Sequence, residues 1–301
     1  MATKVIVFDV EHGACSFLRT PTNHTMLIDS GCTEGFSPAL YIAENELPTA
    51  SKWGTFPLTR MTVTHPHEDH ISEIEAIKNY CQPAFLLRQK YDWEEIKAEE
   101  DEYEKLDIYA AWQDTYNGTD PARPEYGMTI QTFMLTPKEA KAVDETKFIN
   151  NSSIVTVATV TGTKYQEKFL FGGDVETAGW DALLKKYPAL KEAVKNVDFF
   201  IVPHHGHESG FSQALFDAMG RRPILNIVSI HHNDEYIDDR YGQEAYALGT
   251  KIDGEYRRML TTRSDGTITI NANDAGEFWV SLEHLADNKA VKIARYGAGG
   301  R

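Results

Sequence analysis

Cysteine is scarce in this 301-residue sequence, which contains only three: Cys15, Cys32 and Cys81. They are scattered, odd in number and not paired as Cys-x-x-Cys, so we expect no disulfide framework and no disulfide-linked partner. No stretch approaches about 18 uninterrupted apolar residues, and the first residues contain neither a charged leader nor an apolar segment with a cleavage site. These absences predict a cytoplasmic protein without a membrane partner.

Positive charge is also in short supply. The chain has 30 Lys and Arg residues against 45 Asp and Glu residues, which gives a formal net charge of −15. This balance disfavours non-specific binding to membranes or long nucleic acids, and the sequence has no basic run of the kind that follows a phosphate backbone. A phosphate-containing substrate remains compatible with it, because bound divalent cations would reverse the local field.

The order of secondary-structure patterns indicates the fold class. Apolar residues make up 42% of the chain, enough for a large core, and we expect one domain over residues 1–295 and a flexible tail at 296–301. Strand patterns alternate with helical patterns in two halves, which predicts an α/β protein with two sheets between helical layers. Strands are predicted at 4–10, 15–19, 25–28, 61–64, 129–135, 153–160, 168–171, 197–202, 224–230, 267–271 and 277–282, and helices at 71–80, 177–195 and 212–219.

An acidic segment with interleaved aromatic residues covers residues 91–118. It predicts one or two amphipathic helices, part of a helical insertion around residues 88–126 that projects from the core. The preferred interpretation is a solvated helical face. The alternative is a lid that restricts the substrate.

The strongest chemical signal is the run His65-Pro66-His67-Glu68-Asp69-His70. Two imidazoles two positions apart in extended backbone can face the same way, and Asp69 and His70 follow at the start of a helix. Imidazole nitrogens and carboxylate oxygens suit zinc, manganese or iron. The run therefore predicts a metal site, in preference to a solvated polar loop.

Further metal-competent side chains recur at the ends of predicted strands. Asp174 follows Gly172 and Gly173 and suits a carboxylate that bridges two cations, with a helix N-cap as the alternative. His204 and His205 end a buried strand, and because neighbours in a strand face opposite ways, we expect only one of them to bind metal. Asp29 ends another strand, where it can accept the free N–H of a metal-bound histidine.

These residues stand in the order of the metallo-β-lactamase superfamily motifs, which the chain resembles from about residue 4 to residue 270. Within that superfamily, the segments FDVEHGACSFLRTPTNHTMLIDSG, NNSSIV, FLFGGDVE, FIVPHHG and TTRSDGTI look like the C-terminal hydrolase domain of ComEC-type DNA-uptake proteins, here without the membrane channel. The resemblance implies a four-layer αββα sandwich and a dinuclear metal centre, with Zn²⁺ favoured and Mn²⁺ as the alternative.

The resemblance also implies roles for individual residues. One metal takes His65 and His67, the other takes Asp69, His70 and either His204 or His205, and Asp174 bridges them. Where many members have a third-motif histidine, this chain has Asn151 and Ser153, which are placed beside the metals or the substrate and leave the first metal short of a ligand. Additional candidates for substrate contacts or proton transfer are His207, His231 and Arg263. His12, His24 and His284 fit surface or structural roles, although the loop of His12 corresponds to one near the metals in the subgroup.

The predicted chemistry is hydrolysis. Two cations would activate a bridging water, Asp69 would orient it, and a carboxylate or His207 would pass a proton to the departing oxygen. A phosphodiester is the best-matched substrate, whether in nucleic acid or in a small nucleotide. The same metal chemistry permits a lactonase or another carboxylic-ester hydrolase. A non-catalytic binding protein with a degenerate site is the third possibility.

Overall fold

The computed structural model describes residues 2–47, 58–99, 104–118, 127–161, 165–231, 236–273, 275–285 and 290–293. The predicted tail and the last part of the predicted insertion, residues 119–126, lie outside these ranges. The strands are Thr3–Val7 (β1), Ser16–Arg19 (β2), Thr25–Ile28 (β3), Arg60–Thr62 (β4), Leu86–Leu87 (β5), Met128–Phe133 (β6), Val155–Thr161 (β7), Gln166–Phe171 (β8), Phe199–Ile201 (β9), Leu225–Val228 (β10), Thr250–Ile252 (β11), Glu255–Arg257 (β12), Met259–Thr261 (β13), Ile268–Ala272 (β14), Phe278–Leu282 (β15) and Val291–Ile293 (β16).

Two large sheets contain most of these strands. One has the order β16-β15-β14-β1-β2-β3-β4-β5 and the other the order β13-β10-β9-β8-β7-β6, while β11 and β12 form a separate hairpin. The helices are Pro38–Asn45 (α1), Glu68–Ile71 (α2), Ile74–Tyr80 (α3), Trp93–Glu99 (α4), Glu104–Gln113 (α5), Pro137–Val143 (α6), Phe148–Asn151 (α7), Thr177–Lys186 (α8), Pro188–Ala193 (α9), Gln213–Met219 (α10) and Thr262–Asp265 (α11).

Alternation along β1 shows how the layers are built. Val5 and Val7 point into the core between the two sheets, whereas Ile6 and Phe8 belong to the cluster that joins the outer sheet faces to the helices. Successive side chains of a strand face opposite ways, so an apolar residue at every position requires cover on both faces. Helices provide the outer cover, and the predicted four-layer αββα arrangement is confirmed.

The sequence predicted that the acidic segment projects from the core, but in the structure it packs against the core. Ile96 of α4 and Leu106, Tyr109 and Trp112 of α5 are buried in the main apolar cluster, which also contains Ile77 of α3. The acidic side chains face outward while the aromatic stripe packs inward. The segment is therefore a layer of the sandwich rather than an appendage.

Two predicted helices are each divided. The helix expected at residues 71–80 breaks into α2 and α3 because the backbone N–H of Glu73 donates to the carbonyl of Ser30, outside the helix. The helix expected at 177–195 stops at Tyr187, and Pro188 starts α9. Proline lacks the N–H that a helix interior needs and suits a first turn.

The sheet directions bring one set of strand ends together. Neighbours β3 and β4 are parallel, as are β8, β9 and β10. The carboxyl ends of these strands lie at the same edge of the sandwich, where His70 after β4 approaches Asp174 after β8. Loops beyond carboxyl ends are where α/β folds collect their sites.

The part of the chain that the structure describes contains no helix long and apolar enough to cross a membrane. All three cysteines are free thiols. Burial raises the pKa of the Cys15 thiol well above its ordinary value and raises that of Cys81 to about 12. Both behave as small apolar core residues, in line with the absence of disulfides expected from the sequence.

Candidate metal centre

Asp29 connects β3 to the predicted histidine run. Its Oδ1 accepts the backbone N–H of Thr64 at 2.7 Å, and its Oδ2 accepts the Thr64 hydroxyl at 2.8 Å. The same Oδ2 lies 2.8 Å from Nδ1 of His70. A proton on Nδ1 leaves Nε2 of His70 as the nitrogen with a free lone pair. Asp29 thus orients the His70 ring so that Nε2 faces the carboxylates of Asp69 and Asp174, at 3.5 and 3.4 Å.

His65 is held by two hydroxyl groups. Its Nδ1 lies 3.0 Å from the Oγ1 of Thr64 and 3.2 Å from the Oγ of Ser153. The Thr64 hydroxyl donates its hydrogen to Asp29, so its oxygen can accept a hydrogen bond from Nδ1–H of His65. In this tautomer Nε2 of His65 carries the lone pair. That Nε2 lies 2.9 Å from Nδ1 of His67. The two imidazoles therefore direct nitrogens to the same point.

Asp174 lies between the two halves of the histidine cluster. Its Oδ1 is 3.4 Å from Nε2 of His70, while its Oδ2 is 3.8 Å from Nε2 of His65 and 3.6 Å from Nε2 of His205. Its backbone N–H donates to the hydroxyl of Ser153 at 3.1 Å. Ser153 thus joins His65 to Asp174, which places it beside the cluster as the sequence predicted.

A glycine is required directly before Asp174. Gly173 has φ +54, and a Cβ there would lie 2.8 Å from the Cβ of Ser153 and 3.1 Å from that of Thr64. These two side chains hold His65, so they cannot move apart without disturbing it. The glycine lets β8 approach the loop after β4 closely enough for the two carboxylates and four imidazoles to meet.

Gly173→Ala is expected to destabilise the metal-free protein more than an alanine substitution at a glycine whose Cβ position has no neighbouring atoms. A methyl forced against packed side chains costs about 1–3 kcal/mol, in addition to the cost of the left-handed backbone. Gly254 has φ +85 and nothing within 4 Å of a built Cβ, so Gly254→Ala reports the backbone cost alone. Urea unfolding of both variants measures the difference, and equal losses would contradict the tight packing around Gly173.

The structure separates the roles of His204 and His205. His205 directs Nε2 into the cluster, 3.0 Å from Oδ2 of Asp69, and its Nδ1 lies 2.9 Å from the carbonyl oxygen of Ser229. His204 instead places Nδ1 2.8 Å from the hydroxyl of Ser209. The expectation that they alternate along a strand is wrong, since they lie in a turn where both have left-handed φ, 51° and 50°. The turn nevertheless brings only His205 to the cluster.

Charge coupling within the cluster is strong. Burial alone would raise the pKa of Asp174, but His70 and His205 outweigh it and hold that pKa well below its ordinary value. Burial opposes protonation of His205, yet Asp174 and Asp69 raise its pKa to about 9. Burial together with His70 and His67 lowers the pKa of His65 well below its usual range. Protons on the metal-free site would leave when cations bind.

The donor atoms fit divalent cations. Nε2 of His70 and Nε2 of His205 are buried and form no hydrogen bond in the described part of the chain. Such a nitrogen is costly unless another group satisfies it. Donor atoms within 4.8 Å of one another include one group from His65, His67 and Asp174 and another from His70, Asp174 and His205. Asp174 belongs to both groups, as expected of a carboxylate shared by two cations.

The remaining predicted site residues do not belong to the cluster of donor atoms and have other contacts. His207 is exposed, with Nδ1 2.9 Å from the Ser209 hydroxyl. His231 lies at the rim, where its Nε2 is 3.6 Å from Glu11. Arg263 is on α11, which is tied to the end of β10 through Thr262 and Ile230. Asn151 turns away, because its Oδ1 accepts the backbone N–H of Glu176 at 3.1 Å and supports the start of α8.

Three residues contact the cluster although the sequence analysis did not predict a role there for two of them and favoured a surface role for the third. The Thr64 hydroxyl orients His65, and the Ser229 carbonyl orients His205. Both stand at the ends of buried strands, a position that could have drawn attention to them. His12 places Nε2 3.7 Å from Oδ2 of Asp69 and forms a third group of donors with Asp69 and His205.

Replacing Asp29 by asparagine is expected to weaken metal binding. The amide cannot accept from Thr64 and His70 as the carboxylate does, and loss of such a supporting group costs about 10- to 100-fold in metal affinity. A competition titration with a chromogenic chelator measures the constants. Asp217→Asn, at an exposed position of α10, is the matched control. Unchanged affinity in Asp29→Asn would show that Asp29 does not position the ligands.

Residues 8–223 match the sequence model of the metallo-beta-lactamase superfamily. This match covers well over half of the chain, so the chain belongs to that superfamily, whose members are generally hydrolytic metalloenzymes. It is accordingly a metallo-hydrolase with a cluster of His and Asp residues at the expected edge of the fold. No curated protein sequence matches it significantly.

The solved structures to which this chain is similar are distant in sequence. The metallo-beta-lactamase fold protein YhfI from Bacillus subtilis is 12% identical, with 78% of this chain and 89% of that chain covered and a TM-score of 0.41. Igni18, a metallo hydrolase from the archaeon Ignicoccus hospitalis, is 13% identical over 89% of this chain and 98% of its own, with a TM-score of 0.44. A long form RNase Z from yeast is 11% identical over 88% of this chain and 41% of its own, with a TM-score of 0.45.

Proposed function

We propose that this metallo-hydrolase is a phosphodiesterase that uses two divalent cations. The observation that carries the proposal is the position of Asp174, whose two oxygens approach His70 on one side and His65 and His205 on the other. A carboxylate shared by two cations is typical of sites that carry out in-line displacement at phosphorus.

The proposed ligands fall into two sets. One cation is held by His65 and His67, the other by Asp69, His70 and His205, and Asp174 is common to both. His204 is left out, because none of the groups of converging donor atoms among the described residues includes it. Imidazole and carboxylate donors without thiolate suit Zn²⁺ first and Mn²⁺ second.

The chain's own residues would direct the reaction. When bound, the cations lower the pKa of water towards neutrality and neutralise charge on the phosphate. Asp69 lies between His205 and His70, at 3.0 and 3.5 Å from their Nε2 atoms, where it can accept a proton from the attacking water. Nδ1 of His207 lies 2.9 Å from the Ser209 hydroxyl, which leaves Nε2 as the nitrogen available to the substrate. In its protonated form the His207 ring can donate the Nε2 proton to the departing oxygen and is left as the neutral imidazole.

A small nucleotide fits the charge of the chain better than a long nucleic acid. The net charge of −15 repels a polyanion wherever cations do not offset it. The likeness to ComEC-type hydrolase domains keeps single-stranded DNA among the substrates to be tested. His231 and Arg263, at the same edge of the fold, are the proposed contacts for the parts of the substrate beyond the scissile phosphate.

The test is to reload metal-free protein with Zn²⁺ or Mn²⁺ and measure hydrolysis of bis(p-nitrophenyl) phosphate, a cyclic dinucleotide and single-stranded DNA. p-Nitrophenyl acetate and a lactone are assayed in parallel. We expect phosphodiester hydrolysis that requires metal and is lost in Asp69→Asn. Hydrolysis of the esters alone would replace the proposal with a carboxylic-ester hydrolase. A wild-type chain that binds no cation would point to a degenerate binding protein.

A further inference from the structure

The loop after β1 is built onto the backbone of Asp69. The N–H of Ala14 donates to the carbonyl of Asp69 at 3.1 Å, and the carbonyl of Gly13 accepts the hydroxyl of Ser229 at 2.7 Å. The loop is closed at its base by the N–H of Phe8, which donates to the carbonyl of Cys15 at 3.1 Å. Three separate bonds thus fix the loop to two strands and to the start of α2.

The loop lies so close to the backbone of Asp69 that position 13 has no room for a side chain. A Cβ at Gly13 would lie 2.6 Å from the carbonyl oxygen of Asp69. Glu11 has a left-handed φ of 56°, which turns the chain immediately before His12. The backbone contacts of the loop therefore hold His12 close to Asp69.

The donor atoms of His12 converge with those of the cluster. Its Nε2 lies 3.7 Å from Oδ2 of Asp69, and the same oxygen lies 3.0 Å from Nε2 of His205. The rings of His12 and His205 have centroids 5.1 Å apart and are tilted by only 30°. Neighbouring ligands at about 2.1 Å from one zinc ion lie about 3.0 to 3.4 Å apart in five- and four-coordinate sites. The separations around Asp69 match that spacing.

We propose that His12 is a further ligand of the cation held by Asp69, His70 and His205. This inference rests on the metal binding in the proposed function and adds a residue to it. The two cations are then unequally held, since the other has only His65 and His67 besides the shared Asp174. His12 is 54% exposed, against 17% for Asp69, 9% for His205 and none for His70, so it is the ligand that water can most readily replace.

The test compares equilibrium metal binding by the wild type, His12→Gln and the control His24→Gln. His24 is a half-buried histidine in the turn between β2 and β3. Zn²⁺ is titrated into metal-free protein against a chromogenic chelator to obtain two dissociation constants, and Co²⁺ is used to record the visible ligand-field spectrum. We expect one constant to rise at least about tenfold in His12→Gln, the other to stay unchanged and the Co²⁺ spectrum to change. His24→Gln should behave as the wild type.

Other outcomes overturn the assignment. Unchanged constants and an unchanged spectrum in His12→Gln would exclude a ligand role, even if activity fell. Equal weakening of both sites, or a lower thermal midpoint of the metal-free variant, would indicate damage to the loop instead. A wild-type chain that binds no Zn²⁺ would remove the proposed function itself, which is a separate result from two wild-type sites that are indifferent to His12.

Discussion

Asp174→Asn is expected to lower kcat/KM for a phosphodiester by at least about 10³-fold. The two-cation arrangement contributes several kcal/mol to charge stabilisation in the transition state, and about 4 kcal/mol corresponds to a factor of 10³. Asp174 is buried, and its oxygens are the only ones shared by the two proposed ligand groups of the described residues. Asparagine keeps the size of the side chain but removes the charge and one acceptor oxygen.

Metal content must be measured together with rate. Equilibrium dialysis followed by elemental analysis gives cations per chain, and we expect less than the wild-type content in Asp174→Asn. Asp181→Asn, at an exposed position of α8, controls for the loss of a charge nearby in sequence. Full activity in Asp174→Asn, with two cations bound, would mean that Asp174 is not the shared ligand.

The sequence is sufficient to locate this carboxylate because local patterns determine where strands end. β3 has the predicted bounds, and β4, β8 and β9 lie within a few residues of theirs. The apolar runs that end β3, β8 and β9 are followed by Asp29, Gly172 and Pro203, and the β-branched run of β4 is followed by His65. Buried runs of this kind have few alternative placements, so the positions of Asp29, His65 and Asp174 after them follow.

Which of the two histidines after β9 approaches the carboxylates could not be predicted in the same way. Period-two alternation separates His204 from His205 only within a strand, and the chain leaves the strand at Pro203. The outcome depends on the Ser229 carbonyl and the Ser209 hydroxyl, which are contributed by other segments. Contacts with such distant segments cannot be predicted from the local sequence around His204 and His205.

The packing of the acidic helices and the surroundings of His12 depend on distant segments for a related reason. The helices α4 and α5 are amphipathic with a solvated acidic face, as expected, but they do not project from the core because Tyr109 and Trp112 on the other face are buried. His12 lies in a loop that looks like a surface turn in the sequence. Its position beside Asp69 depends on the approach of Gly13 to a residue more than fifty positions away.

His207→Gln is expected to reduce hydrolysis at least about 10²-fold for a nucleoside leaving group, yet to have little effect on p-nitrophenyl substrates. General-acid catalysis typically contributes about 10²- to 10⁴-fold. A ribose oxygen is strongly basic and must gain a proton as it departs, whereas p-nitrophenolate leaves without one. The side chain is exposed at the rim, so its removal should not disturb the core.

The ratio of the two rates is the measurement that identifies the acid. We would compare kcat for a cyclic dinucleotide and for bis(p-nitrophenyl) phosphate in wild type, His207→Gln and His284→Gln, the last at an exposed position far along the chain. A residue that merely supports the fold or binds phosphate would slow both substrates alike. An equal loss on both would therefore assign His207 to substrate binding, and no loss on either would leave proton donation to another group. Only a loss confined to the basic leaving group fits a histidine that Ser209 orients and that, when protonated, donates from Nε2 to the departing oxygen.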